Sequence, residues 1–126
     1  MAGPMDAEKF IQLQKLNLAL NPECATSSYN LGVALLNQGR LMEAKKAFED
    51  AVENSGRMFE GFVNLGYIYF RLGDLEKVVE MNKRAVELEP RYARGYANMG
   101  FAYLQMQNPE EAISALKRAI ELNPRI

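Results

Sequence analysis

The chain has 126 residues, 48% of them hydrophobic and 25% charged, with a formal net charge of −1. This is the composition of one ordinary globular domain, and it offers no broad electrostatic attraction to nucleic acid or to an anionic membrane. Histidine is absent and Cys24 is the single cysteine, which excludes serine–histidine triads, cysteine–histidine pairs, histidine metal sites and an internal disulfide.

Residues 1–5 read as a leader or vector remnant with no structural role. Neither a secretory signal nor an apolar run of about 18 residues is present, so we expect a cytoplasmic chain, or a soluble fragment of a larger protein, with no membrane insertion. Residues 6–20 predict an amphipathic helix with Phe10, Leu13, Leu16 and Leu20 on one side. Residues 6–24 are read as an N-terminal capping helix or half-unit, because NLALNP (17–22) lies in register with AIELNP (119–124). Cys24 reads as a small buried or half-buried thiol.

From residue 25 onward the chain repeats. SYNLGVALLNQG (28–39), FVNLGYIYFRLG (62–73) and YANMGFAYLQMQ (96–107) echo one another at a spacing of 34. The same spacing relates Gly32, Gly66 and Gly100, then Ala51, Ala85 and Ala119, then Arg57, Arg91 and Arg125. A period carried by several independent columns marks a repeat architecture. Each unit divides into two helices at Gly39-Arg40, Gly73-Asp74 or Asn108-Pro109. Asn108 is an expected N-cap, followed by proline and two acids in the first turn. Pro90 and Pro124 end second helices, and no period-2 alternation calls for a strand. Glycine inside a helix costs about 1 kcal/mol relative to alanine. Its recurrence predicts close approach of the second helix, through the small column Ala44, Val78 and Ala112, with Phe48 or Leu116 beside the contact.

The order of these residues resembles the tetratricopeptide repeat. In the middle unit the motif runs Phe62, Leu65-Gly66, Tyr69, Val78, Asn82, Ala85 and Pro90. Departures are Ser28 for the large first residue, Asn82 for the usual aromatic and Gly56 for proline, which predict a weaker first unit and a looser second helix in the middle one. The resemblance covers residues 25–126 and implies an all-α right-handed superhelical solenoid of antiparallel helix pairs. Its units are residues 25–58, 59–92 and 93–126. It further implies a non-enzymatic protein-interaction scaffold without a cofactor.

Within NLGYIYFRLG the helix is apolar on two opposite sides. Phe62, Leu65, Tyr69 and Leu72 form one face, which is expected to pack inside the stack. The other face, read through all units, comprises Tyr29, Val33 and Leu36, then Val63, Tyr67 and Phe70, then Ala97, Phe101 and Leu104. Either adjacent first helices bury these residues against one another, or they form an exposed strip for a partner; the second reading is preferred. Asn30, Asn64 and Asn98 flank the strip and suit either local bridging or a grip on peptide backbone. Arg71 and Arg94 lie near it, while acids such as Glu43, Glu49, Glu76 and Glu80 concentrate on second helices. That distribution fits a solvated charge pattern or a basic rim for a partner with acidic residues. The chaperone-tail carboxylate clamp known in the family is not matched: Tyr29, Val33 and Asn98 stand where bases or asparagine are required, and only Asn64 and Arg94 fit.

The expected function is thus capture of a protein or peptide ligand in a concave groove. Tyr67, Phe70 and Phe101 are its anchors, with Tyr29 and Val63 beside them, and Arg94 reads an acid. Self-association through uncapped ends or the N-terminal helix is the structural alternative, and nucleic acid is disfavoured by the charge.

Overall fold

Helix-stop chemistry repeats three times along the chain and sets its architecture. Gly39 (φ 75°), Gly73 (φ 78°) and Gln107 (φ 63°) all adopt the left-handed conformation one position before the next helix cap. In each case the following amide reaches back five residues: Arg40 N to Leu35 O at 3.0 Å, Asp74 N to Tyr69 O at 2.9 Å, and Asn108 N to Tyr103 O at 2.8 Å. This is the Schellman closure, which satisfies carbonyls left open at a helix end. Glycine adopts that conformation without a Cβ penalty. Gln107 is the third member of the set, and the sequence pattern around Asn108-Pro109 did not disclose it.

The computed structural model describes residues 4–125, and among these the secondary structure is seven helices and no strand. The helices are α1 (Pro4–Leu20), α2 (Ala25–Asn37), α3 (Leu41–Asn54), α4 (Phe59–Leu72), α5 (Leu75–Leu88), α6 (Ala93–Gln105) and α7 (Pro109–Leu122). They match the predicted helices to within a few residues. Met1–Gly3 of the expected leader lie outside the described residues, whereas Pro4 already opens α1. Asp74 caps α5 by accepting a hydrogen bond from Lys77 N at 3.2 Å. Asn108 occupies the N-cap position of α7, yet its side chain makes no capping bond. There Pro109, which has no N–H to satisfy, and the acids Glu110 and Glu111 favour the helix start instead.

The chain divides into two compact units, residues 1–61 and 62–126. In the first, α2 packs on both α1 and α3. Ala44, Phe48 and Ala51 are completely buried, and a Cβ on Gly32 would stand 2.8 Å from the Phe48 ring. The side chain pressed against the glycine is therefore Phe48 itself, and not the small column four residues earlier that the sequence pattern suggested. Helical pitch explains the shift, since one further turn brings the larger side chain over the gap.

α1 departs further from expectation. Phe10, Leu13, Leu16 and Leu20 are exposed (41–74%), while Ile11 and Gln14 are buried. The helix carries apolar residues on several sides, so periodicity alone could not identify the face that meets α2. Asn17 Nδ2 donates to Ser27 Oγ across this contact. Cys24, at the N-cap of α2, is half-buried, and hydrogen bonds from Ser27 hold its thiol below the usual range.

In the second unit α6 packs on α5 and on α7, and α4 meets α5 where Gly66 approaches Asn82. Phe62, Leu65, Ile68 and Tyr69 form the buried side of α4, and Arg84 covers the Phe62 ring at 4.9 Å. Leu72, expected on the same side, is 41% exposed at the helix end. Ala97, expected in the outward strip, is buried instead. The second helices are not uniformly acidic at their surface. Arg40–Glu43, Lys46–Asp50, Lys77–Glu80, Arg84–Glu87 and Arg118–Glu121 pair at 2.7–3.6 Å along them, with Arg40 serving as the N-cap of α3. Such exposed pairs contribute at most about 1 kcal/mol each.

Candidate functional site

The second unit carries a groove of about 710 Å³ bordered by α4, α5, α6 and the loop before α6. Its rim carries two pairs of large apolar residues at i, i+3 spacing, Tyr67 with Phe70 on α4 and Phe101 with Leu104 on α6. Helical periodicity places each pair on one face, and the repeat places equivalent residues on both helices. All four are substantially exposed, from 47% at Tyr67 to 58% at Phe70. Large apolar side chains clustered around a concavity are the usual makings of a binding site.

The floor is different in character. Gly66, Val78 and Ala102 are buried there beside Asn82, which is only 3% exposed. Asn82 Nδ2 donates to the Val78 carbonyl at 2.8 Å, and its Oδ1 accepts from Asn98 Nδ2 at 3.4 Å. The buried amide is thereby satisfied on both its donor and acceptor sides, which offsets much of its desolvation. At this departure from the repeat pattern the amide forms a hydrogen-bonded link from α5 to α6.

Charge and polarity are confined to the edges. Arg94 lines the groove and is exposed. Arg71 does not line it, but donates to Tyr67 Oη at 3.0 Å and lies 5.9 Å from the centroid of that ring. This contact fixes a rim aromatic by a hydrogen bond and a cation–π interaction. Burial pushes the Tyr92 phenol above its ordinary value while nearby Arg94 opposes the shift, so the hydroxyl stays neutral at physiological pH.

Of the residues expected from sequence, Val63, Tyr67, Phe70, Arg94, Asn98, Phe101 and Leu104 come together at this groove. Asn64 is half-buried on α4 and is not among the lining residues. Tyr29, Asn30, Val33 and Leu36 belong to α2 of the first unit and are half-buried there, with Tyr29 edge-on to Phe48 at 5.5 Å. Sequence reasoning missed Gly66, Leu75, Val78, Asn82, Tyr92, Ala102 and Gln105 as lining residues. Only Asn82 had a visible signal, its polarity at a position where the other repeats carry Phe48 and Leu116.

Comparison with known proteins supports the same architecture. Sequence models of the tetratricopeptide repeat match residues 7–54 and 93–126, and one described as TPR repeat matches residues 66–107. Among solved structures, a crystal structure of MamA superposes with a TM-score of 0.83 at 24% identity, covering 91% of this chain and 67% of that one. A second MamA structure gives 0.84 at 24% identity, covering 94% and 65%. MamA 41-end from Desulfovibrio magneticus RS-1 gives 0.82 at 22% identity, covering 95% and 68%. The chain thus spans about two thirds of the length of these MamA chains, and at such identities the likeness establishes the all-helical solenoid fold alone. No curated protein matches it.

Proposed function

Because the chain belongs to the tetratricopeptide repeat family, whose domains mediate protein–protein interactions, we propose that it is a scaffold gripping a partner's peptide or helix in the groove of its second unit. The observation that carries this reading is the quartet Tyr67, Phe70, Phe101 and Leu104, large, apolar and 47–58% exposed around one concavity. Burying one such side chain against a partner contributes roughly 1.5–3 kcal/mol, so two or three anchors supply useful affinity. Val63 extends the apolar wall, Asn98 meets polar groups of the ligand, and Arg94 favours an acidic residue at the rim. Arg71 supports the wall from outside the groove through its contact with Tyr67. In the first unit, Tyr29, Asn30, Val33 and Leu36 offer less accessible surface and take a secondary role.

The family is typically non-catalytic, and the reading requires neither catalysis nor a cofactor. Among the described residues no helix is long and apolar enough to cross a membrane. We place the protein in the cytoplasm, a reducing compartment in which Cys24 would remain a free thiol.

Binding of peptides selected from a random library is the direct test. Tyr67→Ala is expected to weaken their affinity by well over 1 kcal/mol while helicity by circular dichroism is unchanged. Unaltered affinity removes the groove from the binding mechanism.

Self-association is a second reading, favoured by the exposed Phe10, Leu13, Leu16 and Leu20 stripe of α1. It requires that the solution mass rise with concentration in light scattering, and a constant monomer mass eliminates it.

A further inference from the structure

The three repeats share many core positions, and one of their disagreements lies beneath the groove. Facing the mid-helix glycine, the second helices carry Phe48, Asn82 and Leu116 at a spacing of 34. Phe48 closes on Gly32 and Leu116 closes on Gly100, where an added Cβ would meet them at 2.8 and 2.6 Å. Asn82 is shorter and polar, and a Cβ on Gly66 would stand 3.1 Å from its Nδ2. At this same place the groove descends into the core, reaching Gly66, Val78 and Asn82. An apolar side chain like those of the other repeats would occupy that depth.

Packing alone does not call for an asparagine here, since a buried amide is tolerated only when it is bonded. What Asn82 achieves is to hold Asn98. Its Oδ1 accepts one N–H of Asn98, a half-buried residue of the groove wall. The Asn98 Oδ1 and its second N–H have no protein partner among the described residues. A donor and an acceptor on one fixed amide are the complement of another primary amide.

We infer that Asn82 is a specificity-determining residue: it keeps open a pocket beneath the groove that receives one carboxamide side chain, glutamine or asparagine, of the peptide partner. The inference rests on the groove reading above and adds to it the identity of one ligand side chain. A hydrocarbon side chain in the pocket would strand the free donor and acceptor of Asn98. A carboxylate would use the donor alone, and the arginine of the groove, Arg94, stands exposed at the rim.

The test selects peptides from a phage-displayed random library on the wild-type protein and on Asn82→Leu, whose leucine is already used by the third repeat. Wild-type selections are expected to carry glutamine or asparagine at a fixed spacing from their apolar anchors. Replacing that glutamine by methionine, close to it in size and shape, should weaken binding to the wild type about tenfold. The Asn82→Leu protein should bind the glutamine and methionine peptides alike, and its own selections should keep the anchors and lose the amide.

The same amide preference on both proteins, or equal binding of the two peptides to the wild type, overturns the pocket and leaves the groove standing. Failure of the wild-type protein to yield a peptide, or peptides indifferent to Tyr67→Ala, removes the groove and the pocket with it. Should Asn82→Leu fail to fold, the glutamine-to-methionine comparison on the wild-type protein decides the question alone.

Discussion

The two units use one helix-pair pattern to make different surfaces. In the first, Phe48 fills the space opposite Gly32 and Tyr29 leans edge-on against it, leaving the outward residues of α2 half-buried. In the second, Asn82 takes the position of Phe48, and the outward residues Tyr67, Phe70 and Phe101 are exposed around an open groove. The helix-pair architecture is therefore kept whichever of these residues fills the position. An aromatic ring closes the interhelical space, and a bonded amide leaves it accessible.

The contrast is open to direct attack. The largest effect belongs to Phe48→Ala, which empties a completely buried site and should destabilise the first unit by about 3–5 kcal/mol. Hydrogen exchange of α2 and α3 amides reads this locally, and protection close to that of the wild type would show that Phe48 is not the keystone of its pair. Next comes a matched pair at the mid-helix glycines. Gly32→Ala forces a methyl into the immobile Phe48 ring and should cost about 1–3 kcal/mol in urea denaturation. Gly66→Ala meets the Asn82 amide at 3.1 Å, a milder clash that a small shift relieves, and gains helix propensity, so it should cost clearly less than Gly32→Ala. Equal costs at the two sites would erase the distinction between a filled and an open repeat.

Smaller effects sharpen the account of the helix boundaries. Asp74→Ala removes the cap on Lys77 N and should cost about 1 kcal/mol, whereas Asn108→Ala removes no capping bond and should change stability by less than about 0.5 kcal/mol. Gln107→Gly relieves a left-handed residue at the turn where the other repeats use Gly39 and Gly73. A gain of about 0.5–1 kcal/mol is expected, reduced somewhat by the greater freedom of glycine in the unfolded chain. A lower melting temperature for this variant would show that Gln107 contributes contacts that outweigh its backbone strain.

Much of this is legible in the sequence. The spacing of Gly32, Gly66 and Gly100 announced helix pairs, and the opposite faces of NLGYIYFRLG announced Tyr67, Phe70, Phe101 and Leu104 as a shared outward set. The N-terminal helix was legible as a helix but not as a packed surface. Its leucines satisfy more than one amphipathic phase, and only contact with α2 selects Ile11 and Gln14 for burial. The groove floor was hidden for a related reason. Gly66, Val78 and Ala102 look like ordinary core residues, and their access to a cavity depends on what a different helix omits.

Sequence by itself determined the helix pairs, most of the turns between them and the period that relates them, because these follow from local backbone chemistry and from apolar spacing along single helices. It also placed Tyr67 and Phe70 of α4 and Phe101 and Leu104 of α6 on a shared outward face. Tertiary structure decided which outward residues are exposed, which face of α1 is buried, and that Asn82 bonds Asn98 beneath an open groove. These outcomes depend on how completely side chains of one helix fill the gaps of another. That volume match between residues far apart in the chain is not encoded in the periodicity of either helix alone.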